Sequence, residues 1–219
     1  MIALSTVSSG SQATELLLTR WVTAQDHSQA QRRQSKVIQQ NFLIARAVLR
    51  ALLARVTGTD EWQICPDVQG KPQALTASGI VGPYISLSHT QGLIACAVSQ
   101  KNQFGIDVEH WRTRDFAALA DFAFGPRERE EVARDGMSAF YRIWTLREAV
   151  SKATGQGLIA TIDGHDCVAD APTSGCWATE SWRLFYISPQ TNYSLAIASE
   201  GKGTWSEASL TWIDVTTCV

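Results

Sequence analysis

The pentapeptide GIDVE, Gly105 to Glu109, sets two carboxylates one residue apart in a stretch typical of a β-strand. Residues i and i+2 of a strand point to the same face, with Cα atoms about 6.5–7 Å apart. Two like charges at that spacing repel each other unless a positive charge lies between them. Either Asp107 and Glu109 hold a hard divalent cation such as Mg²⁺, which prefers oxygen ligands, or they line a solvated strand face.

The bulk composition limits the classes of protein. The chain has 219 residues, enough for one large domain or two small ones, and its apolar content of 45% is ordinary for a globular protein with a core. The net charge of −2 argues against a nucleic-acid-binding protein that relies on bulk positive charge.

The cysteines and the apolar segments bear on the cellular compartment. The five cysteines, an odd number without CxxC spacing, predict free thiols in a reducing cytoplasm: Cys65, Cys96, Cys167, Cys176 and Cys218. His165 lies close to Cys167, but a structural zinc site needs four ligands. The N-terminal segment lacks a basic region followed by a long apolar run, and no run of 18 apolar residues occurs. We therefore expect a soluble, cytoplasmic protein.

Residues 37–56 have the apolar periodicity of an amphipathic helix. One stripe of this predicted helix consists of Phe42, Ala45, Leu49, Leu52 and Val56. We expect Gly58 to end the helix, and Arg46 and Arg50 to lie on a flanking face.

The following segments alternate between strand and helix patterns. Three strand-like runs, YISLSH, GLIACAVS and FGIDVEHW, predict an antiparallel meander over residues 84–111. Helices are predicted over residues 115–124, 126–135 and 138–154, the last with Ser138 as its cap and Gly155 or Gly157 at its end. The runs WRLFYIS, YSLAIAS and SLTWIDV then predict further strands.

These predicted elements divide the chain into two halves, each with a long helix and several strands, joined near residues 100–103. Because no Pro/Ser-rich linker marks the join, we expect the halves to pack tightly.

The predicted helix 138–154 carries a second group of interest. Trp144, Glu148 and Lys152 are spaced by four residues and share one face. A Glu–Lys pair at this spacing is commonly an exposed ion pair worth about 0.3–0.5 kcal/mol. The neighbouring Trp144 indicates instead that the face is partly buried, and a buried carboxylate needs a partner. That partner is either Lys152 or a metal ion shared with Asp107 and Glu109.

Four motifs occur in order across about 90 residues: GKP at Gly70–Pro72, SLSHT at Ser86–Thr90, GIDVE, and WTLREAVSK at Trp144–Lys152. In these motifs, in its length and in its two-half layout, the chain resembles the Sfp-type branch of the 4′-phosphopantetheinyl transferases. That family typically has W-x-x-K-E-A-x-x-K as its last motif, and a Gly-x-Gly-Leu follows it here at residues 155–158.

The resemblance implies a fold and an activity. The fold would be α+β, with two similar halves related by a pseudo-two-fold axis, each an antiparallel sheet packed with a long helix. Residues 1–101 would contact the phosphates of coenzyme A, and residues 102–219 would carry the metal-binding carboxylates and the catalytic helix. A monomer, binding neither nucleic acid nor membrane, would transfer 4′-phosphopantetheine from coenzyme A to a serine of an apo acyl or peptidyl carrier protein. Adenosine 3′,5′-bisphosphate would be released.

The resemblance also implies roles for single residues. Asp107, Glu109 and Glu148 would hold Mg²⁺, or alternatively Mn²⁺, and Lys152 would neutralise phosphate charge. The residues expected to hold coenzyme A itself are Lys71, Pro72, Ser88 and His89. The 3′-phosphate would be held by basic residues of the N-terminal half, with Arg32 and Arg50 as candidates beside Arg33 and Arg46.

Several alternatives stay open at this level. The serine proton could pass to Glu148, to Glu128 or to a metal-bound water, and Glu128 is equally an acid favoured near a helix N-terminus. Arg147 replaces the lysine of the family motif and keeps its charge but not its shape, so the family's role is not carried over. The acceptor protein is not specified. A degenerate relative that binds coenzyme A or a carrier protein without transfer, an unrelated Mg²⁺-dependent phosphohydrolase and a purely structural protein are the competing interpretations.

Overall fold

The computed structural model describes residues 2–6, 12–157, 166–201 and 212–214, and the chain divides into two compact units. The first unit comprises Met1–Asp67, Pro72–Lys101 and Leu210–Val219. The second comprises Val68–Lys71 and Asn102–Ser209. The predicted division of roles between residues 1–101 and 102–219 stays a prediction.

The first unit is a sheet covered by a long helix. Its described elements are β1 (Ile2–Thr6), α1 (Gln12–Trp21), α2 (Ala24–Gln31), α3 (Lys36–Thr57), β2 (Gln63–Pro66), β3 (Pro72–Leu75), β4 (Tyr84–Thr90), β5 (Leu93–Ser99) and β10 (Trp212–Asp214). The described strands are ordered β10-β1-β5-β4, and β2 and β3 form a separate antiparallel pair. Strand β1 is antiparallel to β5 and parallel to β10. Helix α3 packs on β4 and β5, and α1 packs on α3.

Helix α3 confirms the periodicity of residues 37–56. The Ser35 side chain accepts a hydrogen bond from the Ile38 amide (3.3 Å) at its start, and Gly58 ends it with a left-handed φ of 77°. Of the predicted stripe, all members but the half-buried Val56 are buried in the core of the first unit. Within the described residues, α3 is long and apolar enough to cross a membrane by length and composition, and 61% of that stretch is buried.

The second unit has the same kind of layer structure. Its described elements are β6 (Gly105–His110), α4 (Phe116–Ala123), α5 (Pro126–Asp135), α6 (Met137–Thr154), β7 (Gly175–Ala178), β8 (Trp182–Ile187) and β9 (Tyr193–Glu200). The described strands form an antiparallel sheet of order β6-β9-β8-β7. Helix α6 packs on β6 and β9, and α4 and α5 pack beside it. The three helices predicted after residue 114 and the runs WRLFYIS and YSLAIAS are thereby confirmed.

The two units share one order of elements. In the first unit the series is β1, α3, β4, β5, and in the second it is β6, α6, β8, β9. In each series the last strand lies between the first strand and the third element, antiparallel to both. The α+β class is confirmed, and the pseudo-two-fold axis stays a prediction.

Two local predictions are wrong. Strand β6 does not continue a meander from β5: it pairs with β9, with Gly105 opposite Ala198 and Glu109 opposite Ser194. The local pattern identifies a strand but not its partner, which is chosen by long-range packing. Ser138 does not cap α6, because Gly136 occupies the N-cap position. The Ser138 hydroxyl donates instead to the carbonyl of Asp135 (3.1 Å), the last residue of α5.

Some predictions fall outside the described residues. They concern Leu158 of the Gly-x-Gly-Leu stretch, His165, Cys218 and most of the run SLTWIDV, of which β10 is the described part. None of the described cysteines forms a disulfide bond.

The contact between β6 and α6 depends on the missing side chain of Gly105. A Cβ atom at this position would lie 2.0 Å from the Ala149 carbonyl oxygen, 2.5 Å from the Ala153 nitrogen and 2.8 Å from the Lys152 Cβ. Two of these atoms belong to the helix backbone and cannot turn away. Glycine at the start of GIDVE therefore allows α6 to lie directly against β6.

We predict that Gly105→Ala lowers the free energy of unfolding by about 1–3 kcal/mol, the usual cost of inserting a methyl group into a filled core. The larger Gly105→Val should cost more. Urea unfolding followed by circular dichroism measures both. An alanine variant as stable as the wild type would show that α6 does not need this close contact.

Candidate functional site

The face of β6 that meets α6 carries the two carboxylates of GIDVE. Asp107 is buried, and its Oδ1 accepts a hydrogen bond from Lys152 Nζ at 2.7 Å. The Asp107 side chain is 4% exposed and that of Lys152 is 31% exposed, so the ammonium group reaches solvent while it holds the buried carboxylate. The contact at Gly105 makes this ion pair possible, because Lys152 Cβ lies beside Gly105.

The carboxylates around this pair repel one another. Burial, then the charge of Asp107 and that of Glu148, raises the pKa of Glu109 to about 7, with Lys152 and Arg114 opposing the shift. Burial and the charge of Asp107 also raise the pKa of Glu148, again against Lys152. Glu109 and Glu148 are both half-buried. The site therefore collects more negative charge than Lys152 alone neutralises.

The residues fit a divalent cation by donor chemistry and by charge. Three carboxylates supply the oxygen ligands that Mg²⁺ prefers, and a cation between them would offset both the burial and the repulsion that raise the pKa of Glu109 and of Glu148. Across the residues that the structure describes, no three His, Cys, Asp or Glu side chains are grouped closely enough to hold a metal as they stand. In this arrangement the Lys152 ammonium supplies the positive charge next to Asp107.

The same face of α6 carries Trp144, which is half-buried as its position in the sequence predicts. Its ring stacks on Phe140, with centroids 5.8 Å apart and planes at 17°. The aromatic pair fixes the N-terminal part of this face, and Glu148 and Lys152 follow one and two turns later.

Lys71 meets the other end of α6. Its ammonium group donates to the Ala153 carbonyl (2.9 Å), which also accepts from Gln103 Nε2 (2.7 Å). A positive charge is favourable at this end, where the last carbonyl groups of a helix are exposed. The structure thus gives Lys71 a helix-capping contact, and its role toward coenzyme A stays a prediction.

A cavity of about 290 Å³ opens beside this helix end. Its lining residues are Gln103, Ala153, Thr154, Gln156, Trp182 and Glu200. It contains none of the residues that the sequence predicts for the site.

The remaining predicted contacts of coenzyme A lie in the first unit. Pro72 begins β3, Ser88 is buried in β4, and the neighbouring His89 is exposed. Arg32 is exposed at the end of α2. Their roles stay predictions.

Arg46 and Arg50, predicted to lie on a flanking face of α3, are both buried. Arg50 Nη1 donates to the Trp21 carbonyl (3.1 Å) and forms a short ion pair with Asp26. Asp26 is itself fixed by the capping box of α2, in which its Oδ2 accepts from the Thr23 amide (3.0 Å). The described contacts make Arg50 a structural residue and do not support its predicted contact with a phosphate.

Glu128 is completely buried, and both of its oxygens are occupied. Oε1 accepts from the amides of Cys167 (2.9 Å) and Val168 (2.8 Å). Oε2 accepts from the Gly125 amide (3.1 Å) and from Arg147, whose Nε lies 3.0 Å away and whose Nη2 is also in contact. The geometry favours a structural carboxylate, and the described contacts do not support Glu128 as a catalytic base.

The contacts of Arg147 account for an arginine, where the family motif has a lysine, at this position of the chain. It is 2% exposed, and two of its nitrogens reach one oxygen of Glu128, which the single nitrogen of a lysine cannot do. Its guanidinium carbon also lies 5.4 Å from the centroid of the Phe124 ring.

A second buried pair, which the sequence did not reveal, lies one turn away. Glu131 on α5 pairs with Arg142 on α6, and Glu131 Oε1 accepts from the Asp170 amide at 2.5 Å. The sequence pattern behind both pairs is two glutamates three residues apart on α5 and two arginines five residues apart on α6. Nothing in either pattern showed that the two helices meet. Together, both pairs fasten residues 167–170 to α5 and α6.

We predict that Glu128→Gln lowers the free energy of unfolding by about 3–5 kcal/mol, because it leaves the Arg147 charge buried without its partner. Arg147→Lys keeps that charge and should cost less. Chemical denaturation of both variants, with the exposed Glu130→Gln as control, measures the difference. An unfolding free energy for Glu128→Gln equal to that of the control would contradict the structural role.

Comparisons with known proteins agree with the motifs. The sequence model of the 4′-phosphopantetheinyl transferase superfamily matches residues 103–198, the stretch that contains Asp107, Glu109, Glu148 and Lys152. The 4′-phosphopantetheinyl transferase HetI of Nostoc sp. is 32% identical over 169 residues, which cover 74% of this chain and 71% of the relative.

Two further relatives match over shorter shares of their length. The 4′-phosphopantetheinyl transferase AcpT of Salmonella typhimurium is 36% identical over 92 residues, 40% of this chain and 46% of AcpT. A 4′-phosphopantetheinyl transferase of Bacillus subtilis is 27% identical over 148 residues, 65% of this chain and 64% of that protein. These matches show that the chain belongs to the 4′-phosphopantetheinyl transferase superfamily.

Proposed function

We propose that this protein transfers 4′-phosphopantetheine from coenzyme A to a serine hydroxyl of an acyl or peptidyl carrier protein, with release of adenosine 3′,5′-bisphosphate. One observation carries the proposal: β6 and α6 bring Asp107, Glu109, Glu148 and Lys152 into one charged site, within the stretch that matches the superfamily. Relatives named 4′-phosphopantetheinyl transferases support the reaction class.

The reaction is the attack of an alcohol on a phosphorus of a pyrophosphate, and such transfers depend on positioning and charge neutralisation. Asp107, Glu109 and Glu148 would hold Mg²⁺, or Mn²⁺ in its place. The bound ion would supply Lewis-acid stabilisation of the pyrophosphate. The raised pKa of Glu109 and of Glu148 supports this assignment, since both carboxylates are partly buried beside the charge of Asp107.

Lys152 supplies a positive charge that the protein keeps at the site. Its Nζ lies 2.7 Å from Asp107 Oδ1, and about a third of the side chain is exposed. The ammonium has three donors, so it can stay on Asp107 and still donate to a phosphate oxygen. Asp107 thereby orients Lys152 toward the substrate.

The serine proton needs an acceptor during the attack. Glu148 is half-buried on α6 and lies within electrostatic range of Asp107, at the site where the phosphate would be held. Glu128 has both oxygens in hydrogen bonds with the protein and is the weaker candidate. We therefore assign the proton to the Glu148 carboxylate.

The remaining parts of the proposal concern the partners. Lys71, Pro72, Ser88, His89 and Arg32 would contact coenzyme A. The enzyme would act as a cytoplasmic monomer on a carrier protein, without nucleic acid or a membrane.

We predict that a panel of apo carrier proteins, incubated with this protein, coenzyme A and Mg²⁺, contains a substrate that gains the mass of one phosphopantetheinyl group. EDTA should abolish the gain, because the carboxylates would then lack their cation. Intact-protein mass spectrometry measures the product and its rate.

Glu148→Gln should slow the transfer roughly 10²-fold or more, the scale of losing one electrostatic contact to a transition state. Glu130→Gln, which changes an exposed glutamate of the same unit, is the matched control and should react like the wild type. If the protein binds coenzyme A but modifies none of the carriers, the proposal is wrong, and the protein is a binding protein without transferase activity.

A further inference from the structure

The end of β6 is held by a tyrosine of α6. Tyr141 is 1% exposed, and its hydroxyl accepts a hydrogen bond from the Arg112 amide (2.8 Å) and donates to the Arg112 carbonyl (3.1 Å). A tyrosine hydroxyl can donate one hydrogen bond and also accept one, and here both are formed with the backbone of Arg112. Arg112 lies three residues after Glu109 and two after the last residue of the strand.

The residue before Arg112 is fixed as well. The Trp111 ring stacks on Tyr141, with centroids 6.0 Å apart and planes at 8°. Trp111 Nε1 donates to Ser194 Oγ (2.8 Å), and this hydroxyl shares a second hydrogen bond with the Tyr186 hydroxyl (2.7 Å). Ser194 is completely buried and is the residue of β9 opposite Glu109. The backbone that carries Glu109 is thus held from both β9 and α6.

The hydroxyl of Tyr141 is not needed to fill the core. Its ring packs beside Phe116 and Phe140, and a phenylalanine ring would fill the same space. Nor is it needed for strand pairing, because β6 ends at His110 and the Trp111 amide already donates to the Asn192 carbonyl (2.8 Å). The contact that accounts for this hydroxyl is the one with the backbone of Arg112.

We propose that Tyr141 is a positioning residue: its hydroxyl fixes the backbone after β6 and so holds Glu109 in place toward the bound cation. The inference rests on the proposed function, in which Glu109 is a ligand of the cation. Exposed Arg114, whose charge opposes the rise in the Glu109 pKa, follows Arg112 by two residues.

The test is Tyr141→Phe, which removes one oxygen and keeps the ring. The Mg²⁺ concentration for half-maximal transfer should rise roughly two- to tenfold, the factor that one hydrogen bond is worth, with little change in the rate at saturating Mg²⁺. Hydrogen–deuterium exchange of the Arg112 amide should speed up by a similar or larger factor, since that amide loses its acceptor.

Thr145→Val is the matched control. It removes another buried hydroxyl of α6, one turn away, which donates to the Tyr141 carbonyl (2.6 Å). The control should keep the Mg²⁺ requirement of the wild type. An unchanged requirement in Tyr141→Phe, or an equal rise in Thr145→Val, would overturn the positioning role.

A failure of the positioning role can be told apart from a failure of the proposed function. If the wild type transfers nothing to any carrier, the proposed function fails, and Mn²⁺ affinity measured by electron paramagnetic resonance in the same variants then decides the inference. A weaker affinity in Tyr141→Phe but not in Thr145→Val supports the positioning role, and equal affinities overturn it.

Discussion

The close contact between Gly105 and the backbone of α6 is the constraint on which the site depends. Because no side chain separates β6 from the helix, Lys152 reaches the buried Asp107, and Glu148 comes within electrostatic range of Asp107 and Glu109. Burial, together with the charge of Asp107, raises the pKa of both glutamates. A packing requirement at one residue therefore brings three carboxylates and one ammonium group together, the arrangement on which the proposed cation site rests.

The second unit uses its carboxylates in two distinct ways. Glu128 and Glu131 are buried with arginine partners and also accept hydrogen bonds from the backbone, so their charges are fully engaged in holding α5, α6 and residues 167–170 together. Glu109 and Glu148 face other carboxylates instead. Such like-charge repulsion is costly for the fold, which is typical of groups kept for function.

Much of the fold follows from local sequence patterns. Helices α3 and α6 are long and strongly periodic, with glycines at their ends, and both were predicted within one or two residues. The short strands β2, β3 and β7 have no comparable signal. The partner of β6 could not be predicted either, because β9 lies about 90 residues later in the chain and strand pairing is decided by tertiary packing.

The residues of the candidate site also divide into those that local patterns predicted and those that depend on distant partners. The spacing in GIDVE placed Asp107 and Glu109 on one face of a strand, and the spacing in WTLREAVSK placed Glu148 and Lys152 on one face of a helix, since both periodicities are local. The roles of Arg50 and Glu128 could not be predicted, because each depends on a partner far along the chain: Asp26 for Arg50, and Arg147 with residues 167–168 for Glu128. Whether a charge is structural or available to a ligand is decided by its tertiary partners, which local patterns do not specify.

The central claim is that β6 and α6 build one divalent-cation site from Asp107, Glu109 and Glu148. Titration of Mn²⁺ into the protein with coenzyme A present, followed by electron paramagnetic resonance, tests it most directly. The account predicts one bound Mn²⁺ per chain in the wild type and in Glu130→Gln, and loss of that binding in Asp107→Asn. Equal Mn²⁺ binding by Asp107→Asn and the wild type, or no binding by the wild type, would contradict it.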